Sequence, residues 1–289
     1  MIRKSRGDKV FDAANGIFMV LFSITILYPF VYLFSMSVTT SPATISPFSL
    51  LPKPGTFTLD NYKQVLSSNF VLVGYKNTIL RVVIATVLVL LVSVVTAYPL
   101  SKRNLPHRNV ITGFIVFTMF FGGGIIPMYV LMRSMKLLNT IWSLILPGLI
   151  PTYSMLLIRN YFMSIPNDLD ESAKIDGAND YRILFQIILP ISTPILATVV
   201  LWTLVGHWNA WYDASIYITK GERQVLQAIL RQIVVMGKLE ELGGDANMAV
   251  TPDAVKSTTI VVATVPVLCV YPFVQKYFVK GIMVGSLKG

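Results

Sequence analysis

Apolar residues are distributed along this 289-residue chain in six blocks, at about 15–38, 78–100, 110–132, 139–158, 191–211 and 253–278. Each is close to the roughly 20 residues a helix needs to cross a bilayer core of about 30 Å. Inside lipid the backbone must satisfy its own polar groups, so even the β-branched block at 78–100 reads as helix. Gly122, Gly123, Gly124 and Pro127 interrupt the third block, Pro147 and Pro151 the fourth, and Pro266 and Pro272 are expected to kink the last. Two long polar stretches, 39–76 and 212–256, separate blocks. The first holds a turn at Leu51-Pro-Lys-Pro-Gly and a short capped helix beginning near Thr58. In the second, Val225, Leu226, Ile229, Leu230 and Ile233 form an amphipathic helix, expected to lie on the membrane surface or on a partner. The pattern predicts an all-α, polytopic membrane protein of six transmembrane helices.

The charges orient it. Arg3, Lys4, Arg6 and Lys9 precede the first block, Lys102, Arg103 and Arg108 fill the short turn after the second block, Arg159 follows the fourth block, and Lys276, Lys280 and Lys288 close the chain. By the positive-inside rule both termini are cytoplasmic and the two long loops face outward, with Arg133 and Lys136 a mild exception. The net charge of +10 is therefore a topology signal, spread over span ends rather than gathered into a nucleic-acid patch. With 54% hydrophobic and 13% charged residues, and a mean hydropathy of +0.65, an ordinary soluble domain is excluded. The first block is too long for a signal-peptide core and lacks a cleavage site, so it reads as an uncleaved span. The single Cys269 lies in an apolar block and offers neither a disulfide nor a metal site.

The polar passage at about 161–190 carries the most information. Ser164 and Pro166 suit a helix start and Gly177 its stop, with Ile165, Leu169 and Ala173 recurring at i+4. Asp168, Asp170, Glu171, Lys174 and Asp176 take the other faces. Asn179 or Asp180 then caps a second helix in which Tyr181, Leu184, Phe185 and Ile188 form one apolar stripe. Glu171, Ala173, Gly177, Ile187, Leu189 and Pro190 fit, spacing for spacing, a pattern of Glu-Ala-Ala, three residues, Gly, nine residues, Ile-x-Leu-Pro; only Ser172 departs from it. This resembles the EAA loop of the membrane subunits of bacterial ABC importers. Phe120-Phe-Gly-Gly-Gly-Ile-Ile-Pro127, Gly206-His-Trp-Asn-Ala-Trp-Tyr-Asp213, Tyr271-Pro-Phe-Val-Gln-Lys-Tyr-Phe-Val-Lys-Gly281 and Ala97-Tyr98-Pro99-Leu100-Ser101 are similar to strings of the carbohydrate-uptake branch, in its oligosaccharide and polysaccharide group.

The resemblance implies the type I ABC importer permease fold, one permease domain over 1–289, and import of an oligosaccharide or polysaccharide fragment by alternating access. Leu169, Asp170, Glu171, Ala173, Asp176, Gly177, Ala178, Leu189 and Pro190 would then form the coupling surface for an ATPase. Glu171 and neighbouring charges would make polar contacts, Gly177 the tight corner, and Leu169 and Ala173 apolar packing. The implied partners are a second homologous permease, two cytoplasmic ABC ATPase subunits, an extracytoplasmic sugar-binding protein and the lipid bilayer of the bacterial cytoplasmic membrane, with no nucleic acid. The chain itself would bind no cofactor and do no covalent chemistry; ATP and Mg belong to the partner ATPase. In agreement, no Gly-x-x-x-x-Gly-Lys-Ser/Thr occurs, and the Gly122 triplet lacks the Lys that a phosphate cradle needs.

Some positions support two readings. The Gly122 triplet either packs helices closely or kinks the third span. His207, Trp208, Asn209, Trp211 and Tyr212 form either a sugar path or an interfacial aromatic belt. Asn77, Arg81 and Thr203 are costly in lipid and are expected to face protein or water, with Arg81 near enough to a span end to snorkel. His107 and His207 fall on opposite sides of the membrane and form no dyad. An ion-driven secondary transporter would show inverted repeats or intramembrane carboxylates, and a membrane enzyme converging acid and base groups; neither pattern occurs. A permease of the same superfamily for an amino acid or peptide is opposed only by the sugar-branch strings.

Overall fold

The computed structural model describes residues 5–40, 52, 54–236 and 251–286, with side chains described for these except 6, 236, 271 and 273–286. The expected basic positions Arg3, Lys4 and Lys288, the start of the Leu51 turn and the middle of the second long loop lie outside the described residues. The described residues form helices and no strand. Helix α1 spans Arg6–Ser37, α2 Asp60–Ser67 and α3 Asn69–Ser101; α4 (Arg108–Phe120) and α5 (Ile125–Ser134) follow, then α6 (Trp142–Ile145), α7 (Thr152–Ser164) and α8 (Asp168–Ile175). Next come α9 (Asp180–Ile183), a π-helical turn Leu184–Ile188, α10 (Leu189–Ile191), α11 (Thr193–Asn209), α12 (Tyr212–Tyr217), α13 (Leu226–Met236) and α14 (Pro252–Ser286).

Six spans result. Gly7–Ser37, Asn69–Ser101 and Pro252–Val270 are continuous, and three bent pairs supply the others. Arg108–Phe120 and Ile125–Ser134 meet at 108°, Trp142–Gly148 and Thr152–Ser164 at 50°, and Asp180–Ile191 and Thr193–Asn209 at 80°. The glycine triplet accounts for the sharpest bend. Gly124 has φ +83°, where an L side chain is strained, whereas a Cβ on Gly122 would meet nothing within 4 Å. Within this chain nothing packs closely on Gly122, and the positive φ of Gly124 accounts for the break. Helices also run past the apolar blocks. A reciprocal Ser5–Asp8 capping box starts α1 at Arg6, nine residues ahead of the expected start near 15, and α3 likewise begins nine residues early.

The chain divides into two compact units, Met1–Val71 with Gln232–Val265, and Leu72–Arg231 with Pro266–Gly289. In the first, buried Asn61 donates its side-chain amide to the Ser37 and Thr39 carbonyls at 2.8 and 3.0 Å, satisfying orphan acceptors where α1 ends. Tyr62 and Ser37 share a hydroxyl hydrogen bond of 2.6 Å, and Thr258 donates to the Ser37 carbonyl at 3.2 Å.

In the second unit one core joins Val94, Ala97, Tyr98, Met155, Ile158 and Phe162 to Ala173, Ile183 and Leu184. A second gathers Met132, Leu144, Ala214, Tyr217 and Val225. The start of α13 corrects one expectation. Its apolar stripe is not laid on the membrane surface: Leu226, Ile229 and Leu230 are buried, with Leu226 and Ile229 against α3 at Gly74. Leu226 donates its backbone N–H to the Thr78 hydroxyl at 2.8 Å, and Asn77 donates its side-chain amide to the Glu222 and Gln224 carbonyls. The missing side chain of Gly74 permits the approach.

A Cβ at Gly74 would come within 2.6 Å of Ile229 Cδ1 and 3.2 Å of the Leu226 backbone. Gly74→Leu should therefore lower the unfolding temperature of the purified protein by a margin equivalent to about 1–3 kcal/mol, as overpacking does. Gly74→Ala should cost less, and adding Ile229→Val should recover part of that loss in a double-mutant cycle.

Candidate functional site

Two sites emerge, both in the Leu72–Arg231 unit. The first is the loop around α8. Asp168, Asp170 and Glu171 occupy the first turn, where the helix dipole favours anions, and Lys174 the last. Gly177, at φ +79°, ends it. Its N–H reaches the Lys174 carbonyl at 3.0 Å and that of Ala178 the Ala173 carbonyl at 2.9 Å, the paired bonds of a Schellman motif. The Asn179 side chain then caps α9 by accepting from the Arg182 N–H at 2.9 Å.

The loop is fastened to α3. Lys102 donates to Asp170 at 2.6 Å, and Lys174 donates to the same carboxylate at 3.1 Å. The Lys102 ammonium also sits 4.5 Å from the centre of the Tyr98 ring. Arg159 donates from Nε to the Leu100 carbonyl at 2.9 Å, capping the C-terminus of α3. Burial pushes the Asp170 carboxyl up, but the hydrogen bonds and charges of Lys102 and Lys174 outweigh it and hold the group below its ordinary value of 3.8.

The expected coupling residues divide between two directions. Glu171 and Asp176 are exposed, Leu169 is partly so, and Ile175 is 87% exposed. Ala173 faces inward at 8% exposure, inside the chain's own core, so it is not available to pack on a partner as Leu169 is. Ala178 and Leu189 are half-buried against that core, while Pro190 is exposed at the turn into α11. The expected stripe of Tyr181, Leu184, Phe185 and Ile188 also splits. Leu184 and Ile188 are buried with Ile183, whereas Tyr181 and Phe185 are 77% and 59% exposed. The run from Ile183 to Leu189 is apolar at nearly every position, so periodicity alone does not select its inner face. Tyr181 and Phe185 line a groove of about 600 Å³ with Tyr98, Pro99, Leu105 and Pro106.

The second site surrounds Arg81. It does not snorkel: its side chain is 2% exposed. A guanidinium has five N–H donors, and all five have acceptors. Nε donates to His207 Nδ1 at 3.2 Å; one terminal nitrogen donates to the Ala210 carbonyl at 3.4 Å and Asp213 Oδ1 at 3.2 Å; the other donates to the Leu144 carbonyl at 3.3 Å and to Asp213 Oδ2. Sequence reasoning missed Asp213 as the counter-ion. The signal was present, since a charge within an apolar block requires a partner and Asp213 follows directly on the fifth block.

The aromatic cluster at 207–212 does not share one face. His207 lines a shallow cleft of about 240 Å³ with Arg81, Ser154, Trp202, Thr203 and Gly206. Trp208 is buried, its ring 6.2 Å from that of Tyr75, and Trp211 lies 3.8 Å beneath the Arg231 guanidinium. Asn209 and Tyr212 are exposed. Trp202, which sequence reasoning passed over, stacks on Tyr153 at 5.9 Å. Among the described residues no group of His, Cys, Asp and Glu could hold a metal ion.

With this geometry in view, residues 1–284 match the family model described as binding-protein-dependent transport system inner membrane component. The chain belongs to that family. It is a multi-pass membrane transport component. It is 38% identical to the LplC protein of Bacillus subtilis, over all of this chain and 98% of that one. It is 37% identical to the polygalacturonan/rhamnogalacturonan transport system permease YtcP of the same organism, over 98% and 99% of the two chains. Among solved structures it is similar to a chain of a bacterial ABC transporter involved in import of the acidic polysaccharide alginate, at 33% identity and TM-score 0.89, over 96% of this chain and 100% of that one. The fold is thus that of an ABC importer permease.

Two outcomes follow for this inner membrane component. Arg81→Met strands the Asp213 carboxylate, which is 30% exposed, and should cost about 3 kcal/mol, at the lower end for a broken buried pair. Arg81→Met with Asp213→Leu should be more stable than Arg81→Met alone, as read by unfolding temperature. At Asp170 the folded pKa is depressed, so its contribution is complete above the ordinary value of 3.8 and is lost as pH falls through it toward the folded value. The difference in unfolding temperature between wild type and Asp170→Asn should accordingly be widest near pH 7 and shrink toward pH 3.

Proposed function

We propose that this chain is a permease subunit of an ATP-driven importer for a carbohydrate, an oligosaccharide or polysaccharide fragment, in the bacterial cytoplasmic membrane with both termini cytoplasmic. The observation that carries the mechanism is α3. Near one end it is bonded to the EAA-type loop through Lys102 and Asp170; 21 positions earlier it carries Arg81 at the second site. At 1.5 Å per residue that separation is about 31 Å, close to the thickness of the hydrocarbon core. Displacement of α8 therefore has a stiff path to the far side of the membrane.

In this reading two ATPase subunits, one per permease, grip the loops at about 161–190. The exposed Glu171 and Asp176 supply polar contacts, and Leu169, Ile175, Tyr181 and Phe185 apolar ones. ATP and Mg act on those subunits, and this chain does no covalent chemistry. ATP binding closes the ATPases, pushes on α8 and turns the pathway outward, where a sugar-binding protein delivers its cargo to the loops at 39–76 and 212–256. A second, homologous permease completes the path, and hydrolysis resets it. Coupling of this kind is a difference in ATP affinity between the two states of the pathway. The whole 1–289 chain acts as one permease domain. The substrate class is supported by the permease of polygalacturonan and rhamnogalacturonan and by the alginate importer, each matched over nearly the full length.

The test is substrate-stimulated ATPase activity in proteoliposomes, with this chain copurified with its cytoplasmic subunits and supplied with its binding protein. Gly177→Pro removes the N–H bonded to Lys174 and imposes a φ near −65° where the chain has +79°. Stimulation should fall to the basal level while assembly stays intact. Gly177→Ala, at about 1–2 kcal/mol of left-handed strain, should lose only part of it. Transport driven by an ion gradient with no ATPase retained would overturn the reading.

A further inference from the structure

The Arg81 network does more than neutralise a buried charge, because it also fixes a proton. Arginine remains protonated, so its Nε–H must donate to His207 Nδ1, which can accept only when it carries no hydrogen. Neutral His207 then carries its proton on Nε2. The ring is thereby held in one tautomer, and His207 is among the residues that line the 240 Å³ cleft.

The same cleft contains Trp202, 40% exposed and backed by Tyr153 at 5.9 Å with ring planes 28° apart. Trp202 lies seven positions before the last residue of α11, about 10 Å inside the helix end, whereas interfacial belt tryptophans cluster at span ends. Thr203 spends its hydroxyl proton on the Val199 carbonyl at 2.9 Å, which leaves its oxygen to accept. An apolar ring face, one oriented N–H donor and one hydroxyl acceptor match a pyranose, which has apolar C–H faces and a hydroxyl rim. The volume is below the roughly 300–1,000 Å³ of sites that enclose a drug-sized ligand, and so suits one ring of a chain rather than a whole oligosaccharide.

We propose that this cleft is a saccharide subsite for a single pyranose ring, with Trp202 as stacking platform, His207 Nε2–H as donor to a hydroxyl, and Arg81 as the positioning residue that sets the His207 tautomer. The assignment rests on the carbohydrate-importer reading. Arg81 has no donor left for a substrate, and its charge is matched by Asp213. The subsite thus reads the ring face and one hydroxyl, and not a carboxylate.

The experiment uses the assembled transporter in proteoliposomes with its binding protein. Import is measured with labelled oligosaccharides of two to six residues, acidic (oligogalacturonates, oligoalginates) and neutral (malto- and chito-oligosaccharides). Trp202→Ala should raise the apparent KM for the imported sugar about tenfold, and Trp202→Phe, which keeps a ring face, much less. His207→Ala should raise it about three- to tenfold, the value of one neutral hydrogen bond, and His207→Gln, which can place an N–H near Nε2, should restore most of it. Subunit assembly should stay at wild-type levels in the two Trp202 variants, since that ring is partly exposed. Wild-type KM in Trp202→Ala and His207→Ala would overturn the subsite while leaving the importer reading in place. Import of none of the sugars by the wild-type assembly would overturn both.

Discussion

A guanidinium inside an apolar span has to be matched donor for donor, and much of this fold follows from how Arg81 meets that condition. Its five acceptors come from three other stretches: the Leu144 carbonyl on α6, His207 and Ala210 at the end of α11, and both oxygens of Asp213 at the start of α12. Ala210 lies where α11 has run out of its own donors, so its carbonyl is one of the orphans a helix leaves at its C-terminus. The buried charge thus uses backbone polarity that would otherwise be unsatisfied in lipid. Such a pair adds little against a well-packed apolar alternative, but removing one member costs several kcal/mol. Its effect is to specify one arrangement of four segments.

Against that fixed point, the distribution of breaks is informative. Three spans are bent sharply, at Gly122–Gly124, at Pro151 and around Ser192, while α3 continues through 33 residues with a proline only near its end. Bends need local causes, a positive φ or a missing N–H, and each broken span has one. A helix free of them between Arg81 and Tyr98 is stiff, and it is the one fastened to α8 by Lys102 and to α7 by Arg159. In the proposed coupling, α3 is the element that transmits motion at the loop, and the sharp bends lie in the broken spans.

The features legible in the sequence were those decided locally. Six apolar blocks, the break at Gly122–Gly124, the corner at Gly177 and the Asn179 cap each depend on a few adjacent residues and on backbone geometry that only some residue types tolerate. What was not legible depended on which apolar surface meets protein and which meets lipid. Hydrophobicity does not separate the two in a membrane. Ala173 and Leu169 share one i+4 stripe, yet one is buried in the core and the other partly exposed. Tyr181 and Phe185 read like Leu184 and Ile188, and face the opposite way. The start of α13 has the pattern of a surface helix, but Gly74 on α3 offers a place for Leu226 and Ile229. The pairing of Arg81 with Asp213, 132 positions away, is likewise a property of the folded chain.

The two charged sites also differ in what they offer to ligands. At α8 the ion pairs are partly exposed, with Lys174 46% and Asp170 18% accessible, so their charges remain open to a protein partner and to salt. At Arg81 the guanidinium is enclosed, its donors are exhausted and its charge is matched by Asp213, which is 30% exposed. An acidic and a neutral sugar ring would therefore meet nearly the same potential there. Selection between them by charge must be made by groups outside this cleft, while the cleft itself responds to ring shape and hydroxyl geometry. Keeping the strong charges paired has a further physical advantage for a transport path: a ring held by stacking and one neutral hydrogen bond is released far more readily than one held by a desolvated ion pair.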